Sequence, residues 1–597
     1  TYGIYGNART INLGEDEGGQ PSITSPEIVG GEYGIYSGAY NFYDGIIKGK
    51  LDPYENPDII NTIVDGYTIK YDTDTIDGET YQTSYLISEY DVAKIGSTNY
   101  TSLQDAINAA VANDTIELIA NNYIFTDILI PSDKEITIDL AGFNIVASHP
   151  FTNAGKTLIT NSSATSPTLN YRFSQYYITN AADAELELNG IDINSVNGVD
   201  NAGTLKITNT SITATKTGIK NTNFLTINTT TITTQDTAIT NTGTIRDTAT
   251  NQSSLTGKNY ALYTNGGDIE LNNTTLTANT AYYQNTNAVA SFADDSLDGR
   301  ISINSGTTTF ADSTFTETGV KLTRLLMNSG DTAIINSTFT LTSENMNYWG
   351  GEEEMTNVVS NSNSLTLTNV DIDVVGTGYI DKNVYGIYNT GSQLIATDVD
   401  IASSFSNLTG GGGTFLGIYN GTGTLDYKSG TITGNFYNMY GIHNESGTLN
   451  YDSGTITATA NTTSTGIYNN SGAVNILSAT INANATTAYG VNNNTGEITL
   501  GEPEPSDSED WGKATAHVSI INPSIRAIGT TTGYGVKNGA SGRINYYDGI
   551  ITASTHPMPE IPAVPTKAEY LYEPKIHTDG DGYQYMILEW MREQPGN

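Results

Sequence analysis

Gly198-Val-Asp-Asn201, Gly218-Ile-Lys-Asn221 and Ala238-Ile-Thr-Asn241 repeat one four-residue unit at intervals of 218 − 198 = 20 and 238 − 218 = 20 residues. The unit returns as Gly386-Ile-Tyr-Asn389, Gly417-Ile-Tyr-Asn420, Gly441-Ile-His-Asn444, Gly466-Ile-Tyr-Asn469, Gly490-Val-Asn-Asn493 and Gly535-Val-Lys-Asn538. The spacings in this second series are 31, 24, 25 and 24 residues, then 45 across an insertion. Other positions keep the register. Leu205 and Leu225 are 20 apart, as are Ile212 and Ile232, and Ser429-Gly-Thr-Ile-Thr433 recurs 24 residues on as Ser453-Gly-Thr-Ile-Thr457. A fixed period of this length marks a repeat architecture.

Each period holds about three short alternating segments, such as Gly-Ile-Tyr-Asn, Thr448-Leu-Asn-Tyr451 and Thr455-Ile-Thr457. Alternation sends one side chain inward and the next outward. Three strands per 20 to 25 residues describe one coil of a right-handed parallel β-helix. Stacked coils lie about 4.8 Å apart, so like residues stack. Ile and Val then form an interior column. Each unit's Asn falls at a turn, where its amide can donate to one neighbouring Asn and accept from another, satisfying groups that are costly to bury alone. Asn201, Asn221, Asn241, Asn389, Asn420, Asn444, Asn469, Asn493 and Asn538 therefore read as a structural ladder rather than as catalytic groups.

Composition agrees. Of 597 residues, 15% are charged and 37% hydrophobic, with 39 Tyr and no Cys. Abundant Thr, Tyr, Ile and Val favour strands, while Asn, Gly and Asp favour turns. Acids outnumber bases 64 to 25, for a net charge of −39. Phosphate binding needs Lys and Arg, so nucleic acid is a poor partner, as is an anionic membrane surface. No apolar run is long enough to span a bilayer. The absence of Cys excludes disulfides and thiolate metal sites. Thr1 is followed by no leader, and Glu589 to Asn597 carry no sorting motif, which fits a fragment whose export signal and anchor lie outside it.

One segment breaks the strand pattern. Ser102-Leu-Gln-Asp105 opens like a capping box with Asp for Glu, and Leu103, Ala106, Ile107, Ala110 and Val111 follow at helical spacing. This predicts a short helix over 102–112, covering the open end of the first coil. Strands are expected at Thr115–Ile119, Asp127–Ile130 and Glu135–Leu140. A longer period also shows: Tyr43-Asp-Gly-Ile-Ile47 matches Tyr547-Asp-Gly-Ile-Ile551, and Asp77-Gly-Glu-Thr-Tyr81 matches Asp581-Gly-Tyr-Gln-Tyr585, both at an offset of 504. The expected organisation is terminal coils of a preceding module at 1–50, a small β connector at 51–92, a capped β-helix of about 20 coils at 93–553, and a second connector at 554–597. The parent protein would be a tandem array, each module a rod on the order of 90–100 Å long.

The stretch Ala93-Lys-Ile-Gly96, Leu103-Gln-Asp-Ala-Ile107, Asp114-Thr-Ile116 and Ile138-Asp-Leu-Ala-Gly142 resembles the N-terminal cap of pectate-lyase-like β-helix proteins. It is similar in particular to large repetitive adhesin-like surface proteins of Gram-positive gut bacteria. The Tyr-Gly-Ile-Tyr-Asn and Ser-Gly-Thr-Ile-Thr coils carry the resemblance over most of 93–553. It implies an extracellular, cell-surface location and an adhesive role; it does not name a ligand.

Lyases and glycosidases share that fold, so their chemistry was sought. The five histidines, His149, His443, His517, His556 and His577, show no metal spacing. A glycosidase needs two carboxylates across a cleft; Asp294, Asp295 and Asp298, or Asp398 and Asp400, are candidates, against the alternative of turn and surface acids. Two acidic insertions, Glu352-Glu-Glu354 after Trp349-Gly-Gly351 and Glu502 to Trp511, join carboxylates to Trp349 and Trp511. They read as Ca²⁺ or ligand loops or as solvated loops between coils; no other cofactor is expected. In Gly-Ile-x-Asn the residue after Ile points outward, so Tyr388, Tyr419, His443 and Tyr468 form an external stripe suited to sugar stacking or protein contact. Tyr427 and Tyr451 are candidates for a second stripe. The expected function is a structural, adhesive surface module binding carbohydrate, a surface protein or adjacent modules. Alternatives are a polysaccharide-active enzyme, a phage fibre or, from the Thr-rich coils, an ice-binding protein.

Overall fold

The computed structural model describes the chain apart from residues 1, 7–9, 15–25, 57–59, 148, 165–167, 171–177, 249–250, 320–323, 344–354, 378–382, 407–411, 502–522, 561–571 and 591–597. The fold is all-β, a parallel β-solenoid, in which each strand pairs in register with its counterpart one coil later. By compactness it divides at residues 279 and 280.

The first unit opens with coils built on three columns: Tyr2–Tyr5, Tyr33–Tyr36 and Asp52–Tyr54; Ile11–Leu13, Tyr40–Phe42 and Ile60–Ile63; and Glu27–Gly30 beside Ile46–Gly49. Parallel pairing thus continues past residue 50, to Ile63. A long hairpin, Tyr67–Ile76 and Glu79–Ser88, then pairs antiparallel with Ile46–Gly49. It turns at Asp77 and Gly78, both at positive φ (51° and 81°). In the second unit a hairpin of Tyr572–Thr578 and Gln584–Trp590 pairs antiparallel with Ile550–Ala553 in the same way.

The helix covers Leu103–Ala109. Ser102 caps it, its hydroxyl accepting from the Asp105 amide at 3.3 Å. Leu103, Ala106 and Ile107 are its buried face. It stops short of residue 112 because Ala110 turns extended, with ψ 139°. Strands follow at Asp114–Leu118, Ile128–Ile130 and Glu135–Asp139. From there the coil's first strand recurs at residues 114, 135, 156, 185, 204, 224, 244 and 267 in the first unit. In the second unit it recurs at 288, 307, 331, 364, 393, 424, 448, 473, 497 and 543, making eighteen rungs among the described residues. The registers Leu205↔Leu225 and Ile212↔Ile232 are those of the 20-residue period.

Inside, Ile, Leu, Val and Phe stack at zero or near-zero exposure, and the phenylalanines pair face to face between coils, Phe292 on Phe310 and Phe315 on Phe339. A second, polar column runs along one corner. In the first unit the Nδ2 of Asn153 donates to Oδ1 of Asn180 (2.9 Å), Asn180 to Asn201 (2.8 Å), Asn201 to Asn221 (2.7 Å) and Asn221 to Asn241 (2.7 Å). In the second unit Asn328, Asn361, Asn389, Asn420, Asn444, Asn469, Asn493 and Asn538 form an unbroken series at 2.7–2.9 Å. Every donor points toward the C-terminus.

The ladder ends are finished chemically. The first Oδ1 of each series has no Asn before it and accepts instead from a threonine four residues on: Thr157 to Asn153 and Thr332 to Asn328, both 2.8 Å. The corresponding position of inner rungs is apolar, as in Leu205 after Asn201, Leu365 after Asn361, Val474 after Asn469 and Ile498 after Asn493. The last Nδ2 of the first series reaches the Thr264 hydroxyl at 3.3 Å, and that of the second the Gly542 carbonyl at 2.8 Å. In the second unit Asn420, Asn444, Asn469 and Asn493 make a second bond to the carbonyl of the glycine three residues later, Gly423, Gly447, Gly472 and Gly496. A Cβ on Gly447 or Gly472 would collide with the amide of the preceding rung, which is why this turn keeps glycine.

Removing an inner rung orphans a buried donor on one side and a buried acceptor on the other, at about 1–3 kcal/mol each. Asn444→Ala should therefore cost about 2–6 kcal/mol, and Asn538→Ala, at the ladder's end, about half as much; urea unfolding followed by circular dichroism measures the difference.

Candidate functional site

The glycine of the repeat unit sits where the strand bends. Register pairs step over it: Tyr385↔Leu416 is followed by Ile387↔Ile418, and Leu416↔Tyr440 by Ile418↔Ile442. The bend resets the alternation. Val384 and Ile387 both point inward at zero exposure, and Tyr385 and Tyr388 both lie on the outer side. A Cβ on Gly386, Gly417, Gly441, Gly466, Gly490 or Gly535 would strike the Cγ2 of the isoleucine on the facing wall: Ile401, Ile432, Ile456, Ile481, Ile525 or Ile551. The missing side chain lets the wall fold in, and the outer surface forms a crease.

Two columns of side chains line the crease in the second unit. Tyr388, Tyr419, His443 and Tyr468 follow the glycine; Tyr385, Leu416, Tyr440, Thr465, Tyr489 and Tyr534 precede it. Tyr388 stacks on Tyr419 with centroids 4.8 Å apart and planes 7° apart. His443 lies 5.2 Å from Tyr419 and 4.8 Å from Tyr468. Across the crease, Tyr385 meets Tyr388 edge to face at 5.2 Å, and Tyr440 lies 5.8 Å from His443 and 5.7 Å from Tyr468. Tyr385 is only 6% exposed, covered in part by its contacts with the Tyr388 and Tyr419 rings. Lys537, the last residue of the first column, sits over the Tyr489 ring at 5.2 Å.

A carboxylate stands beside the aromatic row. Glu445 Oε2 lies 2.9 Å from His443 Nε2, and Glu445 Oε1 accepts from Asn470 at 2.7 Å. Burial lowers the His443 pKa below its ordinary 6.5, opposed by Glu445, and the hydrogen bond from His443 lowers that of Glu445. At neutral pH the imidazole is thus an uncharged donor to an ionised acceptor. Tyr388 and Tyr419 stack face to face, so the row offers ring edges and hydrogen-bonding groups, which can meet the C–H and hydroxyl groups of a polyhydroxylated ring.

Several residues lie elsewhere than the sequence reading placed them. Tyr427 and Tyr451 are not a second external stripe: both are fully buried, with rings 5.2 Å apart and the Tyr427 hydroxyl donating to the Val399 carbonyl. They alternate with Asp426 and Asn450 and share the inward parity of Leu425 and Leu449. Trp349, Trp511 and both acidic insertions lie outside the described residues. The candidate acids have structural partners. Asp294 and Asp398 are turn residues at φ 56° and 51°, so Asp398 and Asp400 do not share a flat strand. Asp295 is buried. Asp398 accepts from Ser429, Asp400 from the Thr431 amide and hydroxyl, and Asp298 from Thr316. The preceding column, Tyr385, Tyr440, Tyr489 and Tyr534, was missed; its signal is a tyrosine directly before the repeat glycine in four coils.

Compared with family models, with curated proteins and with solved structures, the chain matches none.

Two outcomes are expected. Gly441→Ala should cost about 1–3 kcal/mol by overpacking, and Ile456→Ala should restore part of that loss in the double variant, read as non-additivity of unfolding free energies. For the His443–Glu445 couple, both folded pKa values lie below the unfolded ones. The unfolded state therefore takes up protons first as pH falls, and stability present above pH 6.5 declines through the range set by the ordinary values, 6.5 and 4.5. His443→Gln should flatten the upper part of this decline in Tm measured from pH 7 to pH 5.

Proposed function

We propose that this chain is part of a secreted bacterial cell-surface protein, a structural and adhesive β-solenoid module of a tandem array, whose aromatic crease attaches it to carbohydrate. The observation that carries the reading is the continuous row Tyr388, Tyr419, His443 and Tyr468, with Tyr385 and Tyr440 closing its other side. Aromatic residues held by a stacked sheet present contact area at low entropic cost, as adhesive surfaces need. The row runs along the solenoid axis with one ring per coil, so an extended linear glycan can lie along it. A chain of net charge −39 repels acidic polymers, which favours a neutral one.

The resemblance to pectate-lyase-like adhesins supports the surface location, and the similar hairpins after residues 49 and 553 support the tandem array. Binding rather than cleavage is favoured because Asp398 and Asp400 already serve as acceptors for the neighbouring coil. The test is a titration of the full chain with linear neutral β-1,4-linked hexasaccharides of glucose, mannose and xylose. Tyr388→Ala/Tyr419→Ala should weaken the bound sugar at least tenfold while leaving the circular dichroism spectrum intact. Unchanged affinity, or release of new reducing ends by the unaltered chain, overturns the reading.

A further inference from the structure

The crease is not confined to the second unit. In the first coils of the chain, Tyr2-Gly3-Ile4-Tyr5 pairs with Tyr33-Gly34-Ile35-Tyr36, and the register again steps over the glycine: Tyr2↔Tyr33, Ile4↔Ile35, Tyr5↔Tyr36. The cause is the same. A Cβ on Gly3 would strike Cγ2 of Ile28, and one on Gly34 would strike Cγ2 of Ile47. Tyr2 stacks on Tyr36 at 4.0 Å and 24°, Tyr5 on Tyr36 at 5.6 Å and 15°, and Tyr2 on Tyr33 at 6.5 Å and 23°.

The next rung changes chemistry without changing geometry. Tyr33 pairs with Asp52 and Ile35 with Tyr54, stepping over Pro53. Asp52 and Glu55 then continue the two outer columns, both exposed, and Tyr54 turns into the core at 1% exposure. The Glu55 carboxylate beside the Tyr36 hydroxyl raises the Tyr36 pKa. The patch is thus a cluster of stacked tyrosine rings, ending in two carboxylates that can only accept hydrogen bonds. A ligand matching both must present a flat, weakly polar face and several donors close to it. A sugar ring does so with its axial C–H face and its adjacent hydroxyls, and an anionic sugar would be repelled by Asp52 and Glu55. The carboxylate beside the ring stack repeats the placing of Glu445 beside His443 in the other crease.

We infer that Tyr2, Tyr5, Tyr33 and Tyr36, with Asp52 and Glu55, form a second binding site for a neutral linear glycan, so that one chain carries two sites for the same class of ligand. This rests on the carbohydrate reading of the first crease, and the experiment separates the two. The full chain is titrated calorimetrically with the same glucose, mannose and xylose hexasaccharides. Tyr2→Ala/Tyr36→Ala, Tyr388→Ala/Tyr419→Ala and the fourfold variant are titrated alongside. Thermal melts check the fold, and Tyr2→Phe/Tyr36→Phe checks that the rings matter. The expected result is two sites in the unaltered chain, one in each double variant and none in the fourfold variant, with the phenylalanine form staying within about threefold of the unaltered affinity. A single site that survives Tyr2→Ala/Tyr36→Ala and disappears in Tyr388→Ala/Tyr419→Ala overturns the second site and leaves the first standing. A single site with the opposite pattern overturns the first and leaves this one standing. No binding of any hexasaccharide overturns both.

Discussion

A coil of some twenty residues cannot enclose a core, so each depends on the register of the next. The asparagine amide holds that register. This short planar amide donates and accepts in the same plane, so a column of them satisfies itself without water. Its rungs are 2.7–2.9 Å long, and a slip of one residue along any strand would break two of them and invert every side chain on the strand. The hydrophobic column supplies most of the burial, but Ile on Ile tolerates sliding; amide on amide does not.

The glycine that accompanies the asparagine in sequence answers a different requirement. It leaves room for the facing isoleucine and thereby bends the outer wall. The two roles separate in the first unit, where Ala238 replaces glycine and the Asn221–Asn241 rung persists. The outer aromatic columns follow from the bend, because side chains on either side of it converge. Even the charges obey the stacking. Lys156 lies between Glu135 and Glu185 on neighbouring rungs and separates acids that would otherwise stack on one another, while Lys206 pairs with Glu187 and Lys220 with Asp200 across single steps.

Stacking is what made the fold legible in the sequence, since like residues at a fixed interval are its direct trace. The ladder was legible only in part. Asn153, Asn180, Asn328 and Asn361 belong to it but follow Phe151-Thr, Ile178-Thr, Leu326-Met and Val359-Ser; a search tied to glycine passes over them, because the amide needs only an inward residue two places earlier. The outward direction of Tyr388 followed from simple alternation, as did, had it been applied, the inward direction of Tyr427. The second aromatic column was hidden because the bend breaks alternation: counted in twos, Tyr385 shares the parity of Ile387, and only the three-dimensional kink moves it to the outer side.

The uniform direction of the ladder bears on how such a chain can change length over generations. Every inner rung presents an acceptor on one side and a donor on the other, so any inner coil can follow any other. A duplication or deletion of whole coils leaves no orphaned amide, and the chain is free to grow or shrink by in-frame copying of a coil, 20 to 45 residues long here. The coils that begin with Asn153-Ala-Gly-Lys-Thr157 and Asn328-Ser-Gly-Asp-Thr332 are different. Their threonine already fills the acceptor, so a copy of either placed mid-column would interrupt the series. These two coils are start signals written in side-chain chemistry.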